Sequence, residues 1–540
     1  MKKDSTLKQV SGWIRVNGVL TFGRCSIARE SGEPSKTEKL ETASAGAFVN
    51  FVPPWHTVSW RAARKHVRGL QMRIAAVCSI AAKAVKENDW GKVQTLQRLL
   101  ANSFYAKLLA VKRVTSNKGK NTPGVDGVLW RDAEAKWQAT FSLCRRGYKP
   151  QPLRRIYILK KNGKKRPLSI PTMMDRAQQA LHKLALAPVA ETLADGNSYG
   201  FRELRSCADA IQAGFNALSK PNSATWILEA DIKGCFDNIS IRWLLDNVPM
   251  DKTILRKWLT AGYMEDGIMY PSRKGTPQGG IISPTLSNMA LDGLEDVVRR
   301  AVPRRNRVNF IRYADDFIIT GKSKYLLVNK VKPAVEEFLV KRGLSLSEEK
   351  TMITYIWDGF TFLGQTFRKI GKRLHIKPSK EGIKALIEKA GTIIRKYVSA
   401  PMVILITKLN QVLRGWANYH RHVVSSEAFC RVDTYVFEQL WRMLRKRHPK
   451  KSKRWLYKEY WTNTERKHVF AVKSMTRKGI LKTYKVLRVA SIGIKRHIKI
   501  KAAANPYDSD FSGYFWNRRN NKESRILPAL SSRQYRAMLA

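Results

Sequence analysis

The chain has 540 residues, with 100 Lys and Arg against 42 Asp and Glu, a formal net charge of +58. Such an excess repels itself in a compact fold unless a polyanion neutralises it, so nucleic acid is the expected partner. Apolar residues at 44% and aromatics at 10% exclude a disordered chain, and charge spread through apolar-patterned sequence argues against a basic-tailed ribosomal or chromatin-type protein. The length predicts roughly three or four domains. The cysteines, at positions 25, 78, 144, 207, 235 and 430, form no CxxC pair, which argues against a zinc ribbon or zinc-bound nuclease and for reduced thiols inside a cell. No apolar run reaches the roughly 18–20 residues of a bilayer span, and the N-terminus lacks the apolar core of a secretory signal. No membrane partner is expected, and a bacterial cytoplasm is favoured over an organelle.

Residues 1–50 read as a poorly ordered leader. Over 51–115 the pattern is helical: Val67, Leu70, Ile74 and Val77, then Val93, Leu96, Leu99 and Leu100, recur mostly at three- or four-residue steps. Ser116 to Gly127 is a basic loop with Lys118, Lys120 and the turn Thr122-Pro123-Gly124; it reads equally as a phosphate contact or a linker. Residues 153–171 alternate around a Lys160-Lys161-Asn162-Gly163 tip, a β-hairpin with a cationic end. Asp175 opens a helix, with Gln178 three residues on as a capping box. Residues 226–232 form an apolar strand that ends on Asp231. Gly275 to Gly280 is a Gly/Pro loop, and Ser283 caps the next helix with Pro284 at its first position. Then Tyr313-Ala314-Asp315-Asp316 lies between Val308, Phe310 and Ile311 on one side and Phe317, Ile318 and Ile319 on the other, as a hairpin does. This order suits a split βαβ sheet with helices behind it. After about residue 371 the texture changes, and 379–447 reads all-helical. The segment 442–458 gathers Arg442, Arg445, Lys446, Arg447, Lys450, Lys451, Lys453, Arg454 and Lys458 beside Trp441, Trp455 and Tyr457, a mixture suited to backbone charge and base stacking.

Two adjacent carboxylates at the tip of an apolar hairpin are costly unless something cationic holds them. In a chain this basic, the reading is a pair of Mg²⁺ ions clamped on a nucleotide. Nucleotidyl transfer needs a 3′-hydroxyl made nucleophilic and a pyrophosphate neutralised, and two Mg²⁺ ions can do both with a few carboxylates. Asp315 and Asp316 supply some ligands. Asp231 is the expected third, because it ends an apolar strand that could lie beside the hairpin; Asp237 is expected to point elsewhere.

The ordered set Lys160…Arg166-Pro167-Leu168, Asp231-Ile232…Phe236-Asp237, Thr276-Pro277-Gln278-Gly279-Gly280, Tyr313-Ala314-Asp315-Asp316 and Phe362-Leu363-Gly364 resembles a reverse transcriptase. The block Leu409-Asn410…Arg414-Gly415-Trp416-Ala417-Asn418-Tyr419 resembles the maturase region, or thumb, of group II intron-encoded proteins. Trp55, Trp60, Leu70-Gln71, Ala110-Val111-Lys112-Arg113-Val114-Thr115 and Thr122-Pro123-Gly124-Val125-Asp126-Gly127 are similar to the same family. The resemblance covers about residues 55–505. It implies an α/β plus all-α right-hand polymerase: a helical N-terminal extension over 51–115, fingers and a split βαβ palm over 116–370, a helical thumb or maturase domain over 371–455, a small basic DNA-binding segment over 456–520 and a tail over 521–540.

The resemblance further implies an RNA-directed DNA polymerase, using two Mg²⁺ ions, that copies intron RNA, and a maturase that binds group II intron RNA to assist splicing and mobility. Its partners would be intron RNA, a DNA target and primer, and dNTPs. Lys160 and Arg166 would neutralise the incoming triphosphate, with Ile232 also in the nucleotide site. Phe236 would sit under the sugar and exclude a 2′-hydroxyl. Gln278 would contact the nucleotide or template pair, with Gly279 and Gly280 permitting close backbone approach. Lys350 would act electrostatically, and Phe362-Leu363-Gly364 would grip the primer. Lys118, Lys120, Arg442, Arg445, Arg447, Lys450, Lys451 and Arg454 would contact RNA or DNA, while Trp416 and Tyr419 are expected in the helix core. The basic residues Arg466, Lys467, His468, Lys495, Arg496, His497 and Lys499 would serve the DNA-binding segment. Longer members of the family carry a C-terminal endonuclease with Cys and His ligands; residues 505–540 contain neither, so no nuclease is expected, and the priming 3′ end would come from elsewhere, such as a nascent strand at a replication fork. The alternatives are a non-catalytic RNA-binding splicing factor, or a retron, diversity-generating or defence-type reverse transcriptase.

Overall fold

The computed structural model describes residues 10–16, 19–25, 67–159, 163, 165–461, 469–476 and 479–520. The chain divides into two units, Met1–Phe51 and Val52–Ala540. In the first, where no regular element was expected, β1 (Val10–Val16) and β2 (Val19–Cys25) pair as an antiparallel hairpin.

The second unit opens with three helices, α1 (Val67–Lys86), α2 (Trp90–Asn102) and α3 (Phe104–Ser116). Asp89 and Ser103 start α2 and α3 by accepting from Lys92 N and Ala106 N, satisfying N–H groups that have no partner inside the helix. After α4 (Ala133–Ser142) and a β-hairpin comes α5 (Met173–Leu193), against which all three opening helices pack. Its cap is Thr172, which accepts from Asp175 N. Asp175 therefore does not open the helix. It lies one turn in, buried, and accepts from Tyr148 Oη at 2.6 Å and Thr172 Oγ1 at 2.7 Å.

The hairpin strands β3 (Leu153–Leu159) and β4 (Lys165–Ile170) join α6 (Cys207–Leu218), β5 (Trp226–Asp231), α7 (Ile241–Asn247), α8 (Lys252–Leu259) and the short strands β6 (Tyr263–Glu265) and β7 (Ile268–Tyr270). One mixed sheet has the order β4-β3-β6-β7. Helices α9 (Ser283–Leu291) and α10 (Leu294–Arg300) lead to β8 (Asn309–Tyr313) and β9 (Asp316–Gly321), then α11 (Lys332–Val340) and β10 (Met352–Tyr355). Ser283 is the first helical residue of α9 rather than its cap.

The second sheet has the order β10-β5-β9-β8. Both β5 and β8 run antiparallel to β9, so they are parallel to each other with β9 inserted between them: a split βαβ arrangement. Both faces are covered. Leu228, Ala230, Phe317 and Ile319 pack with Leu286, Ala290, Leu294 and Leu339, while Ile227, Ile311 and Ile318 pack with Ile211, Leu218 and Phe367. Burial on both faces is why these strands read as unbroken apolar runs, each fully buried side chain contributing about 1.5–3 kcal/mol.

A third sheet follows, β11 (Phe360–Phe362), β12 (Gln365–Ile370) and β13 (Arg373–Pro378). Helices resume only at Lys380, with α12 (Lys380–Lys396), α13 (Met402–His420) and α14 (Ser426–Arg447) sharing the core of Leu386, Leu405, Leu409, Leu413, Phe429 and Leu440. α15 (Lys453–Trp461) and the hairpin β14 (Ala471–Met475)–β15 (Leu481–Lys485) add to that block. The chain then returns to the first half: Arg205 donates to Ala502 O at 3.0 Å, and Asn505 Nδ2 to Thr192 Oγ1 at 2.9 Å, before α16 (Ser512–Asn520). Among the described residues no helix is long and apolar enough to cross a membrane.

Candidate active site

Asp231, the last residue of β5, stands directly opposite Asp316, the first of β9. Tyr313 and Asp316 pair across the hairpin, leaving Ala314 and Asp315 as a two-residue turn with Ala314 at φ +59°. A positive φ is uncommon for alanine and persists only where its surroundings fix it. Here the tip is clamped. A Cβ at Gly200 would collide with Ala314 N, and Gly200 O accepts from Asn288 Nδ2 at 2.8 Å. Asn288 Oδ1 in turn accepts from Arg312 Nη1 at 3.3 Å. Arg312 is wholly buried in β8, bonded to Asp292 and 3.9 Å from Asp195. A buried guanidinium is tolerable only with such partners.

The carboxylates sit in partly buried surroundings and repel one another. Burial, and then Asp231, push the Asp315 carboxyl above its ordinary range. Burial, then Asp315 and Asp231, push Asp316 up to about 7. Lys350 Nζ lies 2.6 Å from Asp231 Oδ2, and that bond holds the ammonium protonated above its usual range. The lysine is delivered by a segment laid along the end of β5: Ser347 N donates to Asp231 O at 2.8 Å, and Ile232 bridges to Leu346. Ile232 is buried, so its side chain belongs to the core. Among the described residues, no three His, Cys, Asp or Glu side chains converge on one ion position. Asp231, Asp315 and Asp316 are nonetheless oxygen donors of the type a hard divalent cation takes, and the raised carboxyl groups of Asp315 and Asp316 are what such a charge would relieve.

The Gly/Pro loop is stitched between β4 and the turn after β5. Ser169 N donates to Gln278 O at 2.7 Å, and Thr276 N to Phe236 O at 2.6 Å. Gly279, at φ +124°, lies against Ser169 O where a Cβ has no room, and Gly280 packs on Gln179 and Ser283. The Gln278 side chain accepts from Arg166 Nε at 2.9 Å and donates to Asp237 Oδ2 at 3.0 Å. Asp237, to which the sequence reading gave no task, thus orients Gln278. Phe236 is half-buried, edge-on to Phe201 with centroids 6.4 Å apart. Lys160 lies outside the described residues.

Leu363 (φ +49°) and Gly364 (φ +70°) form the turn between β11 and β12, with Phe362 buried behind it. Two bonds brace it: Tyr419 Oη donates to Leu363 O at 2.8 Å and Ser379 N to Gly364 O at 3.0 Å. Tyr419 is thus not a core residue; it is 38% exposed and its hydroxyl ties α13 to the turn. Trp416 does join the helical core, against Phe429. Of the basic cluster, Arg442, Arg445, Lys450, Lys451 and Arg454 are exposed. Arg447 is not a free surface cation: it donates to Val398 O at 2.9 Å and Ala400 O at 2.7 Å, closing the end of α12. Lys118 and Lys120 are exposed on a single 3₁₀ turn whose carbonyls, Gly119 O and then Thr122 O just beyond it, are gripped by buried Arg176. In the expected DNA-binding segment, His497 Nε2 bonds Asp209 Oδ1 at 2.8 Å and Lys499 Nζ meets Tyr199 Oη at 3.4 Å, so both face protein. Arg466, Lys467 and His468 lie outside the described residues, as do Trp55, Trp60 and the tail over 521–540.

Three family profiles match in order along the chain: the N-terminal domain of reverse transcriptase over residues 55–143, reverse transcriptase (RNA-dependent DNA polymerase) over 158–367, and the group II intron maturase-specific domain over 383–461. Protein YkfC of Escherichia coli is 32% identical over 325 residues, 52% of this chain and 84% of that one. The chain belongs to the group II intron-encoded reverse transcriptase/maturase family. Within it, LtrA of Lactococcus lactis, a group II intron-encoded protein, is 32% identical over 329 residues, 48% of this chain and 54% of LtrA. An uncharacterised 91 kDa protein in the cob intron of Schizosaccharomyces pombe is 27% identical over 414 residues, 61% of this chain and 51% of that protein. The chain thus spans about half the length of these two relatives.

Proposed function

We propose that this family member is an RNA-directed DNA polymerase that copies intron RNA, and a maturase that binds group II intron RNA to assist splicing and mobility. The observation that carries the first part is the pairing of Asp231 with Asp316 across adjacent strands, with Asp315 at the turn beside them. These three would hold two Mg²⁺ ions, which supply an activated 3′-hydroxyl and neutralise the departing pyrophosphate. The protein's own groups do the rest. Arg166, with Lys160, balances triphosphate charge. Gln278, fixed between Arg166 and Asp237, presents a preset polar edge to the nascent pair. Phe236 blocks a ribose 2′-hydroxyl by bulk. Lys350 offsets the carboxylates when no divalent charge is present. The Leu363–Gly364 turn, braced by Tyr419, would hold the primer strand.

On this reading the two sheets form fingers and palm within 116–370, and the helical block forms a thumb whose exposed Arg442, Arg445, Lys450, Lys451 and Arg454, together with Lys118 and Lys120, meet nucleic-acid backbone. Maturase action is RNA binding that screens phosphate repulsion while the intron folds, the RNA performing its own splicing. Extension of a DNA primer on an RNA template, with Mg²⁺ and dNTPs, tests the polymerase. Asp315→Ala with Asp316→Ala should abolish extension and leave splicing assistance intact. Extension that survives the pair of changes would remove these residues from catalysis.

A further inference from the structure

A cleft of about 340 Å³ opens beside the β4-β3-β6-β7 sheet, lined among others by Arg155, Tyr263, Arg273, Lys274 and Asp237. It lies on the sheet face away from Arg166. Side chains alternate along a strand, and the register Arg155↔Ser169 and Ile158↔Arg166 puts Arg155, Pro167 and Ser169 on one face and Arg166 and Leu168 on the other. Of the residues given nucleotide-site roles above, Arg166 faces the other way, while Asp237 borders the cleft and reaches Gln278 at its rim.

Its walls combine charge with flat surfaces. The Arg155 guanidinium lies 3.8 Å from the centroid of the Tyr263 ring, and Tyr263 stacks on Tyr270 at 5.4 Å with a 16° interplanar angle. Arg155 Nε is buried and has no hydrogen-bond partner among the described residues. Arg273 and Lys274 are exposed on the loop that follows β7. Asp237, the carboxylate named above, is engaged by Gln278 Nε2. A volume in the range of small-ligand pockets, of about 300–1,000 Å³, with a guanidinium plane on an aromatic ladder and two cations at its mouth, matches one chemistry: a base that stacks and a phosphate that pairs.

We infer that this cleft takes a single unpaired nucleotide of a bound RNA, its base on the Arg155–Tyr263 stack and its phosphate beside Arg273 and Lys274. Because the cleft is on the far face of the sheet from Arg166, a structured RNA can be held there while the polymerase side is engaged with another strand. The inference rests on the RNA-binding part of the proposed function and not on polymerase activity.

The test uses the full chain and two RNA hairpins that differ only at one bulged position, a uridine or an abasic site. Anisotropy is read at about 0.3 M salt, where non-specific backbone binding is weakened. The wild type should prefer the uridine hairpin by about tenfold. Arg155→Gln and Tyr263→Leu should each reduce that preference to about twofold or less. Arg273→Gln with Lys274→Gln, two exposed positions, should weaken both hairpins by about fivefold, and serves if the stack variants do not fold. Absence of the preference in the wild type, its survival in Arg155→Gln, or unchanged affinity in the double variant overturns the inference. No nucleotide is added in this assay, so a chain that fails to extend primers leaves its result intact.

Discussion

Gly200 and Ala314 meet where the chain has no space to spare, and the Ala314–Asp315 turn depends on that contact. Gly200→Ala would push a methyl group into Ala314 N. It should cost about 1–3 kcal/mol of stability, as overpacking does, and lower the extension rate by more than the stability loss explains; denaturant midpoints and extension rates on one preparation separate the two. Phe236→Ala should raise ribonucleotide incorporation about tenfold or more, read by competing rNTP against dNTP, since a lost steric block is worth roughly the 1.4 kcal/mol of a tenfold change. No change in that ratio would take Phe236 out of the sugar pocket. At this scale the sequence was legible where a pattern broke. An apolar strand ending in Asp231 and two acids within an apolar hairpin were visible because charge there is expensive. Arg312, a cation between Ile311 and Tyr313, carries the same signal. Asp237, Arg176 and Gly200 were not legible, because their partners, Gln278, Gly119 and Ala314, are distant in sequence and only folding introduces them.

Between elements, the junction of the β11–β12–β13 sheet with α13 is built on neutral groups. Gln365 Nε2 bonds His420 Nδ1 at 2.8 Å, both buried. Burial, with His422 nearby, pulls His420 down to about 4, and burial does the same to His422 and His182. A folded value below the unfolded one, near 6.5, means that the stabilisation is complete above that pH and disappears as pH falls through about 4. Thermal midpoints should therefore decline between about pH 6.5 and 4, and His420→Gln should make the decline shallower; an unchanged slope would place the acid sensitivity elsewhere. The helical character of 379–447 was readable, though not its division into α12, α13 and α14, and the split sheet was readable from element order. The β11–β12–β13 sheet was not, since polar Gln365 and Lys369 occupy buried positions of β12, and the change of texture near 371 hid a further strand before the helices begin at Lys380.

For the whole molecule, the return of the C-terminal segment to the first half was the least legible feature. Its cations read as a DNA-binding stretch, yet Asp209 alone receives His497 Nε2 at 2.8 Å, Ile500 N at 2.8 Å and Arg518 Nη2 at 3.1 Å. A contact spanning nearly 300 residues leaves no local signature. Asp209→Ala would remove the acceptor these groups share, and should cost about 1–3 kcal/mol, the usual result of leaving a buried donor unsatisfied. Limited proteolysis should then cut faster within residues 493–508, and equal cleavage rates would show that the segment is held by other contacts. The whole reading turns on acidic oxygens from β5 and the β8–β9 turn sharing divalent ions beside a primer end. The direct measurement is anomalous diffraction from crystals of the protein with an RNA template, DNA primer, a non-hydrolysable dNTP and Mn²⁺. Two peaks about 3.5–4 Å apart, contacting Asp231 and the Asp315–Asp316 pair, are expected; a bound nucleotide with no metal density at those carboxylates would contradict it.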